Sequence, residues 1–375
     1  MKENNICADS AVVVKKKKSP LKIFFIVLLT IVLALVAVVG GYVLYVVTSY
    51  NRIEDKLTLE VSGTAYESEV SAGNEYTVVT QNLGFGAYTK DFTFFMDGGK
   101  ESWAKSPESV RECIKAGVNT VNSFNPDFVL YQEIDFNSTR SYHINEREII
   151  DGYYTAFSKA FAVNYHSAFL MYPFSRPHGA SNSGMYTLSA YKINSAVRRS
   201  LPIPTGFSKF LDLDRCYSVS RVNVDNGKEL VIYNVHLSAY GGDESIRTAQ
   251  IKMLMEDMLS EYEKGNYCVC GGDFNHDFTG TSTFDLNGTE TTDFGWAQPL
   301  PDSLIPAGFS KCVNYVGGVK PTCRNCDVPF KEGNFTIIVD GFIVSDNVEE
   351  ISTENVVTGF TYSDHNPVKL QFKLK

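Results

Sequence analysis

Six places along the chain set polar side chains capable of chemistry directly against a short β-prone run. Asn82 follows residues 76–80, in Thr80-Gln81-Asn82-Leu83-Gly84, and Glu133 follows residues 128–131, in Tyr131-Gln132-Glu133. His236 ends residues 230–235, in Asn234-Val235-His236-Leu237-Ser238. Asp273 and Asn275 follow residues 268–270, in Gly271-Gly272-Asp273-Phe274-Asn275. Asp340 follows residues 336–339, and Asp364-His365 precedes residues 368–372. Polar groups at strand ends are how a rigid sheet gathers one site from distant sequence. The residue types suit metal-assisted hydrolysis. A hard divalent ion, Mg²⁺ or alternatively Mn²⁺, takes oxygen ligands and keeps several waters. A carboxylate can then activate water while His donors hold a phosphate. Singly, each has a plainer meaning: a lone strand-end His is ordinarily a hydrogen-bonded structural residue, and Gly-Asp-Phe-Asn is an Asx turn. The accumulation is what points to chemistry.

These residues need elements to position them. Ser106-Pro107-Glu108 reads as an N-cap, a first-turn Pro and a first-turn acid. It opens a helix with Val110, Ile114, Gly117, Val118 and Val121 on one face. Asp225-Asn226-Gly227-Lys228 is a hairpin turn between strands at 217–224 and 229–235. A helix follows at about 245–263, with Ile251, Met255, Met258 and Tyr262 on one side, and then the strand at 267–270. Hairpins mixed with helices predict an α/β (α+β) body of sheets packed face to face with helices outside. With 375 residues, 44% of them apolar, the chain can bury a large core, and one large domain over residues 76–375 is expected. Residues 49–75 are polar and read as a linker or an edge segment.

The order and wording of the six clusters closely resemble the endonuclease/exonuclease/phosphatase superfamily, the DNase I-like hydrolases. The likeness covers residue 76 to the C-terminus and is specific because all six pieces occur in order. It implies a four-layer α/β/β/α sandwich of two mixed sheets, and it implies roles. Glu133 would be the main metal ligand, assisted by Asn82 and Asp364. Asp273 would orient or deprotonate the attacking water, with Asn275 aligning it. His236 and His365 would contact the phosphate, and Asp340 would buttress His365. Departures narrow the subfamily. Ile338-Val339-Asp340-Gly341-Phe342 lacks the Cys-Asp-Arg-Ile wording of inositol polyphosphate 5-phosphatases, and the Tyr-Trp-Asp-Tyr wording of apurinic endonucleases is missing. Ala190-Tyr191 stands where an Arg often follows the Ser.

Charge bears on the substrate. The first fifty residues carry six Lys against Glu3 and Asp9, so the net −9 of the whole chain becomes −13 for the rest. Such a body is a poor counter-surface for a phosphate polymer. A lipid or small organic phosphate is therefore the expected partner. An extracellular nuclease is the alternative, and a catalytically silent binding domain is disfavoured because every expected polar position is filled. Two stretches bear on specificity. Residues 85–103 are rich in aromatics, which would line a cleft or pack on the core. Arg140 and His143, with Arg147 beyond, follow Glu133 and would hold a second phosphate or carboxylate, or stand as an exposed helix-start pair.

Residues 23–48 hold no charged side chain, are long enough to cross a bilayer, and follow a basic tail at 1–22 that contains Lys15 to Lys18. The positive-inside rule places the N-terminus in the cytoplasm and the body outside, as a single-pass cell-membrane protein. A cleaved signal peptide is the rival, although its apolar region usually runs about 7–15 residues. Outside the cell a disulfide between two of Cys312, Cys323 and Cys326 is expected.

Overall fold

The computed structural model describes residues 19–65, 69–210, 212–239, 244–281, 285–286, 295–296 and 298–375. It divides into two units, Met1–Ser49 and Tyr50–Lys375. In the first, Pro20–Ser49 is a single helix of 30 residues, about 45 Å long at 1.5 Å per residue. The hydroxyls of Thr30 and Thr48 donate back to the carbonyls of Ile26 and Leu44, each at 2.8 Å, so these polar groups are satisfied within the helix. By length and composition the helix can cross a membrane, a test that a signal sequence also passes. The Lys15 to Lys18 run lies outside the described residues.

Each of the two large sheets in the second unit contains one parallel pair joined through a helix. Glu75–Asn82 runs parallel to Phe128–Asp135, and the connection carries the helix Pro107–Asn122. Glu229–His236 runs parallel to Tyr267–Asp273, with the helix Glu244–Tyr262 between them. Antiparallel strands complete both, apart from the two-residue strand Glu69–Val70, which runs parallel to Cys216–Val224. In the sheet of Asn82, Val368–Leu374 lies between Val348–Asn355 and Glu75–Asn82, and Asn182–Ser189 and Ser158–His166 extend the other side. In the sheet of Asp273, Asp340–Ser345 flanks Tyr267–Asp273, and Cys216–Val224 and Ile193–Ser200 lie beyond Glu229–His236. The two sheets are mixed and the class is α+β, as expected.

Three apolar clusters make the layers. Val78, Phe128, Leu130, Ile232, Val269 and Phe342 are among the side chains that fill the space between the sheets. Val110, Ile114, Val118 and Val121 seal the first helix onto the Asn82 sheet, and Ile251, Leu254, Met255 and Met258 seal the second onto the other. At roughly 1.5–3 kcal/mol for each fully buried aliphatic side chain, the four contacts under the first helix outweigh any intrinsic helix preference. Ser106 caps that helix by accepting from the Ser109 N–H at 3.1 Å, with Pro107 in its first turn.

Two local expectations change, and the linker or edge segment expected at residues 49–75 resolves to the latter. Residues 49–75 supply edge strands: Leu57–Thr58 pairs with Ile193–Ser200, Val61–Ser62 with Ser158–His166, and Glu69–Val70 with Cys216–Val224. Asp340 opens a strand instead of ending one, because Thr336–Ile337 pairs separately with Cys323–Arg324. The expected disulfide is not formed among the described residues. Cys312, Cys323 and Cys326 are buried free thiols, and each packs in a different apolar cluster.

Candidate active site

The carboxyl ends of the two parallel pairs meet across the seam between the sheets. Gln132 donates to the Asn234 side-chain oxygen at 2.7 Å, and Asn234 donates to the Tyr131 carbonyl at 3.2 Å. Both side chains are fully buried, so this polar tie fixes how the ends face each other. Just beyond it, Asn82 spans the seam. Its amide lies 3.3 Å from Glu133 Oε1 and 3.1 Å from Asp273 Oδ2, and its oxygen accepts from the Gly84 N–H at 2.9 Å.

Glu133 arrives there through a β-bulge. Register shifts between Tyr131 and Ile134, and Glu133 takes φ +55, a left-handed conformation unusual for a non-glycine residue. The bulge re-aims the carboxylate out of the pleat. Asn275, at φ +51, is a second such position. Two glycines permit the close approaches. At Gly84 (φ +54) a Cβ would sit 2.8 Å from Asp364 Oδ1, and at Gly272 (φ +145) one would sit 2.1 Å from the Val235 carbonyl oxygen.

The convergence centres on Asp273 Oδ2. His236 Nε2 lies 3.6 Å from it and His365 Nε2 3.8 Å from it, while Asp273 Oδ1 accepts from the Asn275 N–H at 2.8 Å. Behind His365, Nδ1 meets Asp340 Oδ2 at 2.8 Å. The two imidazoles are driven apart in charge. Burial opposes protonation of His365, but Asp340, then Cys323, Asp273 and Asp364, outweigh it and hold the ring well above the ordinary range. His236 is held well below it by burial and by the charges of Arg215, His365 and Arg140. Burial pushes Asp273 up to about 7, with Asp340 adding to the effect and His365, Asn275 and Asn82 offsetting it. One cationic donor, one neutral imidazole and one carboxyl near neutrality thus share one pocket, the pattern of divided acid and base roles.

Glu133 and Asp364 make the other half. Burial pushes Asp364 up to about 6, His365 opposing and the Glu133 charge adding. Among the described residues, no Lys or Arg lies within ion-pair distance of either carboxylate. The guanidinium of Arg140 is committed to Asp135 by two 3.0 Å hydrogen bonds. Two carboxylates that no Lys or Arg side chain pairs with fit a divalent ion, and Glu133 and Asp364 are donors that would hold it. Asn82 turns its amide N–H groups towards Glu133 and Asp273 and its oxygen to the Gly84 N–H, so it would join them with that amide reversed. Ligand atoms of Asp273, Asp340 and His365 also crowd within 4.8 Å of one another. There His365, held towards its charged form by Asp340, brings positive charge to the two carboxylates.

All these groups but Asn82 and Asp340 line a cavity of about 320 Å³. Arg140 lines it too, stacked 3.8 Å over the Phe85 ring. His143 does not: it is exposed at φ +58, bonded to Asn137 at 2.7 Å. The left-handed turn through Tyr142 and His143 aims it away, which corrects its expected part in substrate binding. Arg147 stacks on Phe161. The aromatic stretch after Asn82 serves both expected ends, since Phe85, Tyr88 and Phe94 pack in the core and present surface to the cavity. Three lining groups had no announcing pattern in the sequence: His178, Arg215 and the Cys323-Arg324-Asn325 turn. His178 is held neutral, pushed down to about 4 by burial and by Arg140. The Cys323 sulfur lies 3.5 Å from His365 Nε2.

Residues 79–365 match the profile described as the Endonuclease/Exonuclease/phosphatase family. Among solved structures, the chain is similar to an endonuclease/exonuclease/phosphatase from Beutenbergia cavernae, with 16% identity and a TM-score of 0.55 over 80% of this chain and 72% of that one. It is similar to ANGEL2, a 2',3'-cyclic phosphatase, with 14% identity and a TM-score of 0.52 over 85% and 99%. A family protein from Leptotrichia buccalis aligns with 13% identity and a TM-score of 0.50 over 80% and 100%. At these identities the likeness is one of fold. No curated protein matches the chain in sequence.

Proposed function

The chain belongs to the endonuclease/exonuclease/phosphatase family, whose members are phosphoester hydrolases, and on that premise we propose a divalent-metal-dependent phosphodiesterase or phosphatase. In this reading the helix Pro20–Ser49 anchors it in the cell membrane, and the body acts outside the cytoplasm on a lipid or small organic phosphate. The observation that carries the catalytic assignment is the approach of His236 and His365 to the single oxygen Asp273 Oδ2.

Asp273, poised near neutrality, takes a proton from a water aligned with the help of Asn275. His365, kept cationic by Asp340, and His236, a neutral donor, hold the phosphoryl oxygens and stabilise the charge that grows on them. A divalent ion, when bound by Glu133, Asp364 and Asn82, supplies further neutralisation of that charge. The reaction is an in-line displacement by water at phosphorus, and no side chain needs to form a covalent intermediate. Asp340 is a positioning residue. Arg140 presents its face to the cavity but spends its forked donors on Asp135, so its part in substrate binding is to shape and charge the wall. The −13 body favours a lipid or small phosphoester over nucleic acid.

The test is a substrate screen of the full chain in detergent, with Mg²⁺ or Mn²⁺, against plasmid, RNA, sphingomyelin, phosphoinositides and a chromogenic phosphodiester. Turnover of a lipid or small phosphoester, abolished by chelation and restored by the ion, is expected. Cleavage of nucleic acid alone would reverse the substrate assignment. Turnover that survives both chelation and Asp273→Ala would end the catalytic one.

A further inference from the structure

Two segments with exposed apolar side chains adjoin residues that line the cavity. One is the loop closed by pairing of Leu170 with Gly179. In it Tyr172 is 63% and Phe174 82% exposed, their rings 6.0 Å apart. Tyr172 lies 5.8 Å from the Phe95 ring, which lies 5.6 Å from His178 in the cavity wall. Met96, also in the wall, is exposed. The other segment runs between Pro204 and Asp212, which both line the cavity. It carries the exposed ring of Phe207, 5.4 Å from Phe210. Large apolar groups gathered in water around a pocket mouth mark a surface that another apolar phase covers.

Where the body begins says which phase that is. Tyr50 packs edge-on against Phe210 at 5.2 Å. Arg52 donates to the Leu201 carbonyl at 2.5 Å, and the Ile53 N–H donates to Asp214 at 2.7 Å. Within the body, Tyr50 therefore packs on the segment that rims the cavity, and Arg52 and Ile53 are bonded to Leu201 and Asp214 on either side of it. Cations alternate with rings here as they do at headgroup level: Lys209 lies 5.0 Å from the Phe210 ring and Arg176 4.7 Å from that of Trp103. Asp97 and Asp212 stand on the same rim, so the attraction is chiefly apolar.

We infer that this rim docks on a lipid bilayer and that the substrate is the phosphoester headgroup of a lipid drawn from the membrane that holds the helix. The inference rests on the catalytic reading above and narrows it to one substrate class.

The experiment uses the full chain reconstituted in phosphatidylcholine–sphingomyelin vesicles. The paired substitution Tyr172→Ser with Phe174→Ser is expected to lower hydrolysis of vesicle lipid by about a hundredfold, at roughly tenfold per ring withdrawn from lipid. Turnover of bis(p-nitrophenyl) phosphate by the same preparation should stay within twofold. Equal loss on both substrates, or no loss on either, would overturn the inference. A second variant, Phe174→Trp, reports contact directly, since its emission should be quenched when the vesicles contain brominated lipid. Absence of quenching alongside turnover of the soluble ester would sink the docking surface and spare the catalytic reading. Quenching without turnover of any phosphoester would do the reverse. Emission that follows protein concentration instead of brominated lipid would assign the rim to a second copy of the chain.

Discussion

Replacing Asp340 by Asn keeps the size of the side chain and removes its charge, which isolates what that carboxylate does for His365. The pair meets at 2.8 Å with side-chain exposures of 7% and 0%. At an effective dielectric constant near 20, a unit charge pair at that separation is worth about 6 kcal/mol. Breaking a buried pair by removing one partner typically costs about 3–5 kcal/mol, because the survivor stays buried. If most of this is expressed while charge grows on the phosphoryl oxygens, kcat/KM falls by about 10²–10³. Asp340 does not line the cavity and its side chain bonds His365, so apart from the effect of its charge on Asp273 it acts through that ring. The double variant Asp340→Asn, His365→Asn should then be no slower than His365→Asn alone, within about threefold. The assay is kcat/KM on bis(p-nitrophenyl) phosphate with saturating Mg²⁺ for all four proteins, with thermal melts confirming that each is folded. Losses that multiply in the double variant would refute the reasoning, as would an Asp340→Asn enzyme within threefold of wild type.

Gly272→Ala should destabilise the protein by about 3 kcal/mol or more, a fall in melting temperature of about 4–5 °C for a unit of this size, because the added methyl has only the Val235 backbone to push against. Glu261 is held down at about 2 by Arg221, against burial and with help from Lys264 and Asn266. Its stabilisation is complete above the unfolded carboxyl range near 4.5 and drains away as pH falls from there towards 2, so Glu261→Gln should flatten the acid limb of a stability–pH curve. A parallel curve would contradict this. His143→Ala should leave kcat/KM within about twofold, and a larger loss would return that residue to the site.

Much of the site was legible because three of its pieces close apolar runs. Asn82, His236 and Asp273 end strands that the β-prone runs announce, and the glycines before Asp273 mark a close backbone approach. The bulge at Glu133 was not legible. It exists only because Phe128–Asp135 must pair with Asn182–Ser189 while turning one carboxylate out of the pleat, and no local preference records that demand. His143 misled for the mirror-image reason: its spacing from Arg140 suits a shared face, but a left-handed turn intervenes. The cysteines read as a cross-link from the expected extracellular placement, whereas their fate was set by which apolar cluster each joined. His178 and Arg215 enter the cavity from loops whose course depends on tertiary packing. Residues 49–75 carry too little periodicity to announce edge strands two residues long.

The place of Val368–Leu374 between Val348–Asn355 and Glu75–Asn82 has a consequence for biogenesis. Ser363, just before that strand, donates to the backbone oxygen of Asn82 from 281 residues away. The passage of this chain out of the ribosome therefore leaves the Asn82 strand with one flank bare until nearly three hundred further residues have emerged. Whatever hydrolytic power the protein has stays latent throughout that passage, and the nascent edge is where a holding chaperone would find its purchase.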